Sequence, residues 1–264
     1  MAEQAERDPF YVGYLPLPKA IRRFIVPWLV GNIVLAVGIA AVIAQQHREP
    51  GDGVWETGHA VAIEGYIVDE PYPLLVAKQD TYLLVEQGKT GAQRRIFKEL
   101  RRADFSQPRK VTGFLIEREG RRILEIDSNH YEPIELLDEV DFRLDTDRTS
   151  LTRNSINLGT HTLRGEIVDP KCYLGVMQPG DGKTHKTCAT LCIKGGIPPM
   201  LLVRDKAGNT AAYLLTDAEG KAFPESHYEY IADPIEVTGQ VLRDGDLLIL
   251  RADLDSIRRL GAND

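Results

Sequence analysis

The chain of 264 residues contains only three cysteines, three methionines and two tryptophans, and aromatic residues make up 7% of it. It has no glycine-rich phosphate loop, no Ser/His/Asp arrangement and no Cys-x-x-Cys-His haem-attachment motif. Its formal net charge is −7, which argues against nucleic-acid binding because protein surfaces that bind the anionic phosphate backbone are basic. These absences favour a non-enzymatic role without deciding it, and the charge predicts a protein that does not bind nucleic acid.

Long apolar runs are also scarce, and the one that exists lies near the N-terminus. Residues 24–44 are uncharged and mostly apolar. A helix of about 20 such residues is long enough to span a bilayer. About twenty residues precede this run, whereas the apolar part of a cleaved signal peptide is shorter and lies nearer the N-terminus. We therefore expect an uncleaved signal anchor that attaches the chain to a membrane.

The flanking charges predict the orientation of this helix. One basic residue, Arg48, closely follows the apolar run, and three immediately precede it: Lys19, Arg22 and Arg23. The positive-inside rule then keeps the tail, residues 1–23, in the cytoplasm and exports the rest of the chain. The predicted location is a bacterial inner membrane, crossed once, with a periplasmic C-terminal body.

Two groups of residues are candidate contacts with other subunits. Near the N-terminus, a polar residue lies inside the apolar run and aromatic residues lie in the Pro-rich tail: Asn32, Tyr11 and Tyr14. A basic helical face further along the chain is suited to an acidic subunit or an anionic lipid: Arg94, Arg95 and Lys98. The alternatives are an Asn bonded within its own helix, a disordered tail and a solvated face.

An internal repeat organises the exported part. Gly-x-Ile-Val-Asp occurs at 65–69 and again at 165–169, and Val-Thr-Gly occurs at 111–113 and again at 237–239. Short strands with turn signals between them surround these blocks, and residues 93–102 have a helix-like composition. The order of three strands, a helix and two strands resembles the OB-type small β-barrel.

This resemblance implies a mainly β fold with two tandem OB-like barrels after one transmembrane helix. Another class of small barrel or a sandwich would also fit the pattern. The expected boundaries are a first barrel at 57–131, a linker at 132–159 and a second barrel at 160–257 with an insertion at 170–200.

The insertion contains every cysteine of the chain. Thirteen positions separate Asp69 from Tyr82 in the first copy, whereas 32 separate Asp169 from Leu201 in the second. An insertion after the first strand would lie at the rim where OB barrels build binding sites. We expect its four candidate ligands to converge on one cluster: Cys172, His185, Cys188 and Cys192.

Three chemistries fit this segment. Three thiols and an imidazole could hold a transition metal ion, and Met177 and Met200 are further soft ligands. Cys188-x-x-x-Cys192 followed by a Met resembles the loop of the binuclear copper domains of terminal oxidases, although the His of that family is replaced here by Gly196. In an exported compartment the cysteines could instead form a disulfide. Redox-active thiols are the third alternative, because the neighbouring Lys171 would lower the pKa of Cys172.

The combined pattern predicts an accessory or assembly subunit of an inner-membrane complex, respiratory or redox in type. Its expected partners are the membrane and other subunits of that complex. The alternative is a periplasmic protein that handles copper, zinc or haem through the cysteine segment, with a transition metal ion as its cofactor.

Overall fold

The computed structural model describes residues 18–46, 53–99, 107–137, 155–175, 177 and 179–261. The chain divides into two compact units, Met1–Glu49 and Pro50–Asp264. The first unit contains one helix, and the second is mainly β, with two closed five-stranded barrels. The prediction of a mainly β protein with one N-terminal apolar helix is thereby confirmed.

Helix α1 (Lys19–Gln46) contains the predicted apolar run. Within it, Ile21–Gln45 is long and apolar enough to cross a membrane, and the most apolar 18-residue window of this stretch has a mean hydropathy of 2.3. Asn32 lies within this stretch, and its side-chain Nδ2 donates to the carbonyl of Trp28, one turn earlier, at 2.8 Å. The Asn32 amide therefore has a hydrogen bond inside its own helix. Tyr11 and Tyr14 lie outside the described residues.

The first barrel is formed by five strands: β2 (Val61–Val68), β3 (Leu74–Val76), β4 (Thr81–Val85), β5 (Arg109–Arg118) and β6 (Arg121–Ile126). Strand β2 pairs antiparallel with β3 and β5, β3 with β4, and β5 with β6. Strands β4 and β6 pair in parallel and close the barrel. Helix α2 (Gln93–Glu99) lies between β4 and β5 in the chain. Two short strands, β1 (Val54–Trp55) and β7 (Ile134–Leu136), extend the sheet beside β5.

The second barrel repeats this pairing order with five more strands: β8 (Ile156–Val168), β9 (Met200–Arg204), β10 (Thr210–Asp217), β11 (Pro234–Asp244) and β12 (Leu247–Ala252). Strand β8 pairs with β9 and β11, β9 with β10, and β11 with β12, all antiparallel. The parallel pair is again the third strand with the fifth, β10 with β12. A 3-10 helix, Glu225–Tyr230, takes the place of α2, and β13 (Arg258–Arg259) pairs with β11.

The region predicted as a linker, 132–159, contains strand β7 and the beginning of β8. Residues 138–154 lie outside the described residues.

The repeated glycines have the same role in both barrels. A Cβ on Gly65 would lie 2.6 Å from the carbonyl oxygen of Val76, and one on Gly165 would lie 2.3 Å from that of Leu202. The Gly of each Val-Thr-Gly block likewise faces a carbonyl of the last barrel strand, at 2.4 Å from Gly113 and 2.3 Å from Gly239. Only glycine permits such a close approach of a neighbouring backbone. The matched glycines therefore lie where a neighbouring strand of the same barrel packs directly against their backbone.

The two barrels share one hydrophobic core. A single cluster of buried side chains includes Tyr72 and Ile116 from the first barrel and Tyr173 and Leu214 from the second. The hydroxyl of Tyr72 donates to the carbonyl of Leu215 at 2.9 Å and accepts from the N–H of Phe223 at 2.8 Å. Each barrel also has a core of its own. The body is therefore a single packed unit in which the two repeats contact each other directly.

Candidate functional site

The insertion of the second barrel folds into two short helices. Helix α3 (Pro170–Leu174) begins after Asp169, whose Oδ1 accepts from the N–H of Lys171 at 2.9 Å. Asp at the N-cap followed by Pro is a strong helix start. A 3-10 turn, Lys183–His185, then leads directly into helix α4 (Lys186–Lys194). The insertion predicted at 170–200 is therefore largely helical.

These helices place the three cysteines around one point. Residues four apart in a helix lie on the same face, so α4 presents Cys188 and Cys192 together, and His185 immediately precedes it. Helix α3 supplies Cys172 from the other side. The ligand atoms of Cys172, His185 and Cys188 all lie within 4.8 Å of one another.

A second set of donors meets the first at Cys172. The ligand atoms of Asp169, Cys172 and Cys192 also lie within 4.8 Å of one another. All three cysteines are free thiols. A tetrahedral metal with bonds of about 2.3 Å to sulfur holds its ligand atoms about 3.8 Å apart, so small adjustments bring either set to bonding distance. Asp169 was not among the predicted site residues, although its place in both repeats had been noted.

The cluster is largely buried. Asp169 is 0%, Cys192 2%, His185 5% and Cys172 7% exposed, whereas Cys188 has intermediate exposure. Two polar atoms of this group have no hydrogen-bond partner among the described residues, Oδ2 of Asp169 and Nε2 of His185. Buried polar atoms are almost always hydrogen-bonded, so these two buried atoms beside three thiols are candidates for contact with a bound cation.

The thiol of Cys172 is held in its protonated form. A hydrogen bond to Cys192 raises the pKa of this thiol, and burial and the charge of Asp169 raise it further. The expectation that Lys171 lowers this pKa is not met, because the Lys171 ammonium bonds to the first barrel instead. Since thiolates are the metal-binding form of cysteine, a metal ion must displace this proton when it binds.

The imidazole of His185 is held in its neutral form. Burial lowers its pKa, the charge of Asp169 only partly opposes this, and the nearby Lys89 ammonium lowers the pKa again. Neutral imidazole is the form that ligates metals.

The first barrel contributes a cation to the edge of the cluster. The ammonium Nζ of Lys89 lies 2.7 Å from Sγ of Cys188. Nearby, the N–H of Gly91 donates to the carbonyl of Gly195 at 3.0 Å. A Cβ on Gly195 would lie 1.8 Å from the carbonyl oxygen of Lys89, so the Gly195-Gly196 corner is required for the two barrels to meet here. Nothing in the spacing of the sequence had indicated Lys89.

Lys171 connects the insertion to the first barrel. Its Nζ donates to the carbonyls of Glu86 at 2.7 Å and Gly88 at 2.8 Å, and it lies 3.5 Å from Oε2 of Glu125. It also lies 5.5 Å from the centre of the Trp55 ring. Lys171 is therefore a structural cation between the barrels.

The other residues singled out in the sequence are either buried in the shared core, exposed or paired elsewhere. Met200 is buried in the shared core, and Met177 is 44% exposed. On α2, Arg95 binds the carboxylate of Glu86 through two nitrogens, at 2.6 and 3.0 Å. The other two basic residues of that face, Arg94 and Lys98, are exposed.

Comparisons of the chain with protein-family profiles, with curated proteins and with solved structures give no match. The function must therefore be argued from the geometry of the cluster.

Proposed function

We propose that the chain is a membrane-anchored protein that binds a transition metal ion at the Cys172 cluster. The observation that carries this proposal is that ligand atoms of Asp169 and His185, two buried residues that each have an unpartnered polar atom among the described residues, lie within 4.8 Å of free thiols. Thiolate and imidazole donors together select zinc or copper over calcium and magnesium, which prefer oxygen ligands. A protein that binds such an ion without catalytic groups is suited to handling or storing the metal, or to passing it on.

The fold supports the same proposal. We infer that both barrels are OB-type barrels in tandem, because their five strands share one pairing order with a helical element between the third and fourth strands. The metal-binding insertion joins the first two strands of the second barrel. OB barrels commonly bind their ligands with this loop and the adjacent strands.

Elemental analysis of the full-length chain tests the proposal. The protein is purified in mild detergent with reductant and without chelator, then stripped and reloaded with Zn²⁺ or Cu⁺. We expect about one equivalent of metal per chain, as in a mononuclear site. Cobalt loading should add thiolate-to-cobalt charge-transfer absorption, which reports sulfur ligation without any assay of activity.

Variants assign the ligands. Cys172→Ser should abolish binding because Cys172 belongs to both donor sets, and His185→Asn should weaken it. His59→Asn is the matched control, because His59 is highly exposed and, among the described residues, forms only a local ion pair with Glu56, at 3.7 Å. Less than about a tenth of an equivalent after reloading with both metals would overturn the proposal, given the affinities typical of thiolate sites.

A second proposal concerns the setting of this protein. We propose that it is an accessory subunit of a respiratory or redox complex in a bacterial inner membrane, with its N-terminus in the cytoplasm. The observation that favours this is the 25-residue apolar stretch of α1, none of which is buried within the chain, beside a body with a thiol-rich cluster. Mild-detergent extraction followed by native gels and mass spectrometry should recover partner subunits. Recovery of free monomer alone would contradict it.

A further inference from the structure

The contact between Lys89 and Cys188 is closer than an ordinary hydrogen bond to sulfur. Nζ and Sγ are 2.7 Å apart, which is the short end of the range for N–H···O bonds. Because sulfur is a larger atom than oxygen, a normal N–H···S bond is longer than this. The separation is instead close to that of a nitrogen and a sulfur atom joined through one bridging oxygen.

The backbone holds the lysine in this position. The carbonyl of Gly88 accepts from Lys171 at 2.8 Å, and the N–H of Gly91 donates to Gly195 at 3.0 Å. The chain is therefore anchored to the insertion on both sides of Lys89. The carbonyl of Lys89 also packs against Gly195.

Cys188 is the cysteine that a small oxidant can reach. Cys172 and Cys192 are buried beside Asp169, whereas Cys188 is only partly buried and Lys89 is exposed. Oxidation of cysteine is selective for accessible thiols, and an oxidised sulfur can be trapped by a nearby nitrogen.

We propose that Lys89 and Cys188 form an oxidative modification site, at which dioxygen converts the pair into a covalent Nζ–O–Sγ bridge between the two barrels. One atom of dioxygen bonds to both nitrogen and sulfur. The other atom leaves as water with one hydrogen from the neutral amine and the hydrogen of the thiol, and an ammonium releases one further proton first. Nitrogen and sulfur each lose two electrons, which supply the four that reduce dioxygen.

The bridge follows from the Lys–Cys pair alone and does not depend on metal binding. In its bridged form Cys188 has no free thiol, so oxidation would remove one donor from the cluster. An excess of dithiol should reverse the reaction, with two dithiols oxidised for each bridge reduced to amine, thiol and water.

Intact-mass spectrometry of the full-length, chelator-treated chain tests the proposal. Protein purified without oxygen is divided and one half is kept in air-saturated buffer. The aerated half should gain about 14 Da, because one oxygen is added and two hydrogens are lost. Protease digestion should yield one peptide pair joined between Lys89 and Cys188, and dithiothreitol should separate it.

Variants decide between this bridge and other oxidation products. Lys89→Arg keeps a cationic donor but has no primary amine, and Cys188→Ser has no thiol, so neither should gain this mass. Lys194→Arg is the matched control and should form the bridge normally, because within the described part of the chain Lys194 pairs only with Glu225, at 3.5 Å. A gain of about 16 or 32 Da on Cys188 without a cross-link would overturn the proposal, as would a disulfide. An unchanged mass with Cys188 still open to alkylation would overturn it too.

Discussion

Lys171 is a buried cation between the two barrels, and its replacement by Met tests how they are held together. The ammonium is 3% exposed and meets the Glu125 carboxylate, itself 7% exposed, at 3.5 Å. It also donates to two carbonyls of the first barrel. Met has a similar length and can keep the apolar contact with Trp55, so the substitution removes mainly the charge and its hydrogen bonds.

The structure allows the cost to be estimated. Removing one partner of a buried ion pair costs about 3–5 kcal/mol because the other charge is left uncompensated. Burial already raises the pKa of Glu125, and the charge of Lys171 opposes this rise. Without Lys171 the pKa of Glu125 should therefore rise further. Protonation of Glu125 then limits the cost to the lower end of that range.

The sign of the pH dependence follows from the same argument. A carboxyl group whose pKa is higher in the folded than in the unfolded state binds more protons when folded, so stability falls as the pH rises through that interval. Lys171→Met should therefore be destabilised less at acidic pH than at pH 8. Adding Glu125→Gln should remove most of this pH dependence.

Urea unfolding of the full-length chain in detergent measures these effects. In a Trp28→Phe background, Trp55 is the single tryptophan and reports from the barrel interface. The control is Lys110→Met, which breaks a half-exposed pair with Glu135 at 2.6 Å and should cost about 1 kcal/mol or less. If Lys171→Met cost no more than Lys110→Met, the buried cation would not hold the barrels together.

Two further substitutions probe the same interface. Tyr72→Phe removes the hydrogen bonds between this hydroxyl and the carbonyl of Leu215 and the N–H of Phe223, and it should cost about 1–3 kcal/mol in urea unfolding. Tyr131→Phe, at a fully exposed residue, should cost nothing measurable. Gly195→Ala would place a Cβ 1.8 Å from the carbonyl of Lys89, and this overpacking should cost about 1–3 kcal/mol and make Cys188 more reactive to alkylation. Gly58→Ala is its control, since its Cβ would meet only a carboxylate oxygen of Glu56, at 3.2 Å; equal effects of the two alanines would refute the close approach at Gly195.

The parts of the fold that the sequence predicted are those with a local signal. The apolar run identifies α1 through its length alone. Turn signals separate the predicted short strands, and the structure has such a turn at Glu119-Gly120, with φ values of 52° and 75°. The matched sequence blocks predicted two similar β units. The structure gives the physical reason for the match, since each repeated Gly packs against a carbonyl of a neighbouring strand. The helical form of the insertion was missed because its helices are short and interrupted by Gly and Pro.

The contacts between the barrels had no local signal. Lys89, Tyr72 and Glu125 are separated from their partners by many residues, and only the packing of one repeat against the other brings them together. The contacts of the Lys171 side chain with the first barrel could not be predicted for the same reason. Its neighbour Cys172 suggested a role at the thiol, whereas the acceptors that hold its ammonium belong to the first barrel.

The contact between the two barrels explains how such a cluster can be buried beside a small β-barrel. A buried group of thiols, an imidazole and a carboxylate needs surroundings that exclude water, and an insertion on the rim of a single barrel would lie exposed. Here the first barrel covers the insertion. Lys171 and the backbone hydrogen bond between Gly91 and Gly195 attach the insertion to that barrel. The side chains of Cys172 and Cys192 belong to the core that both barrels share. The first barrel therefore covers one side of the cluster, whereas all of the candidate ligands come from the second barrel.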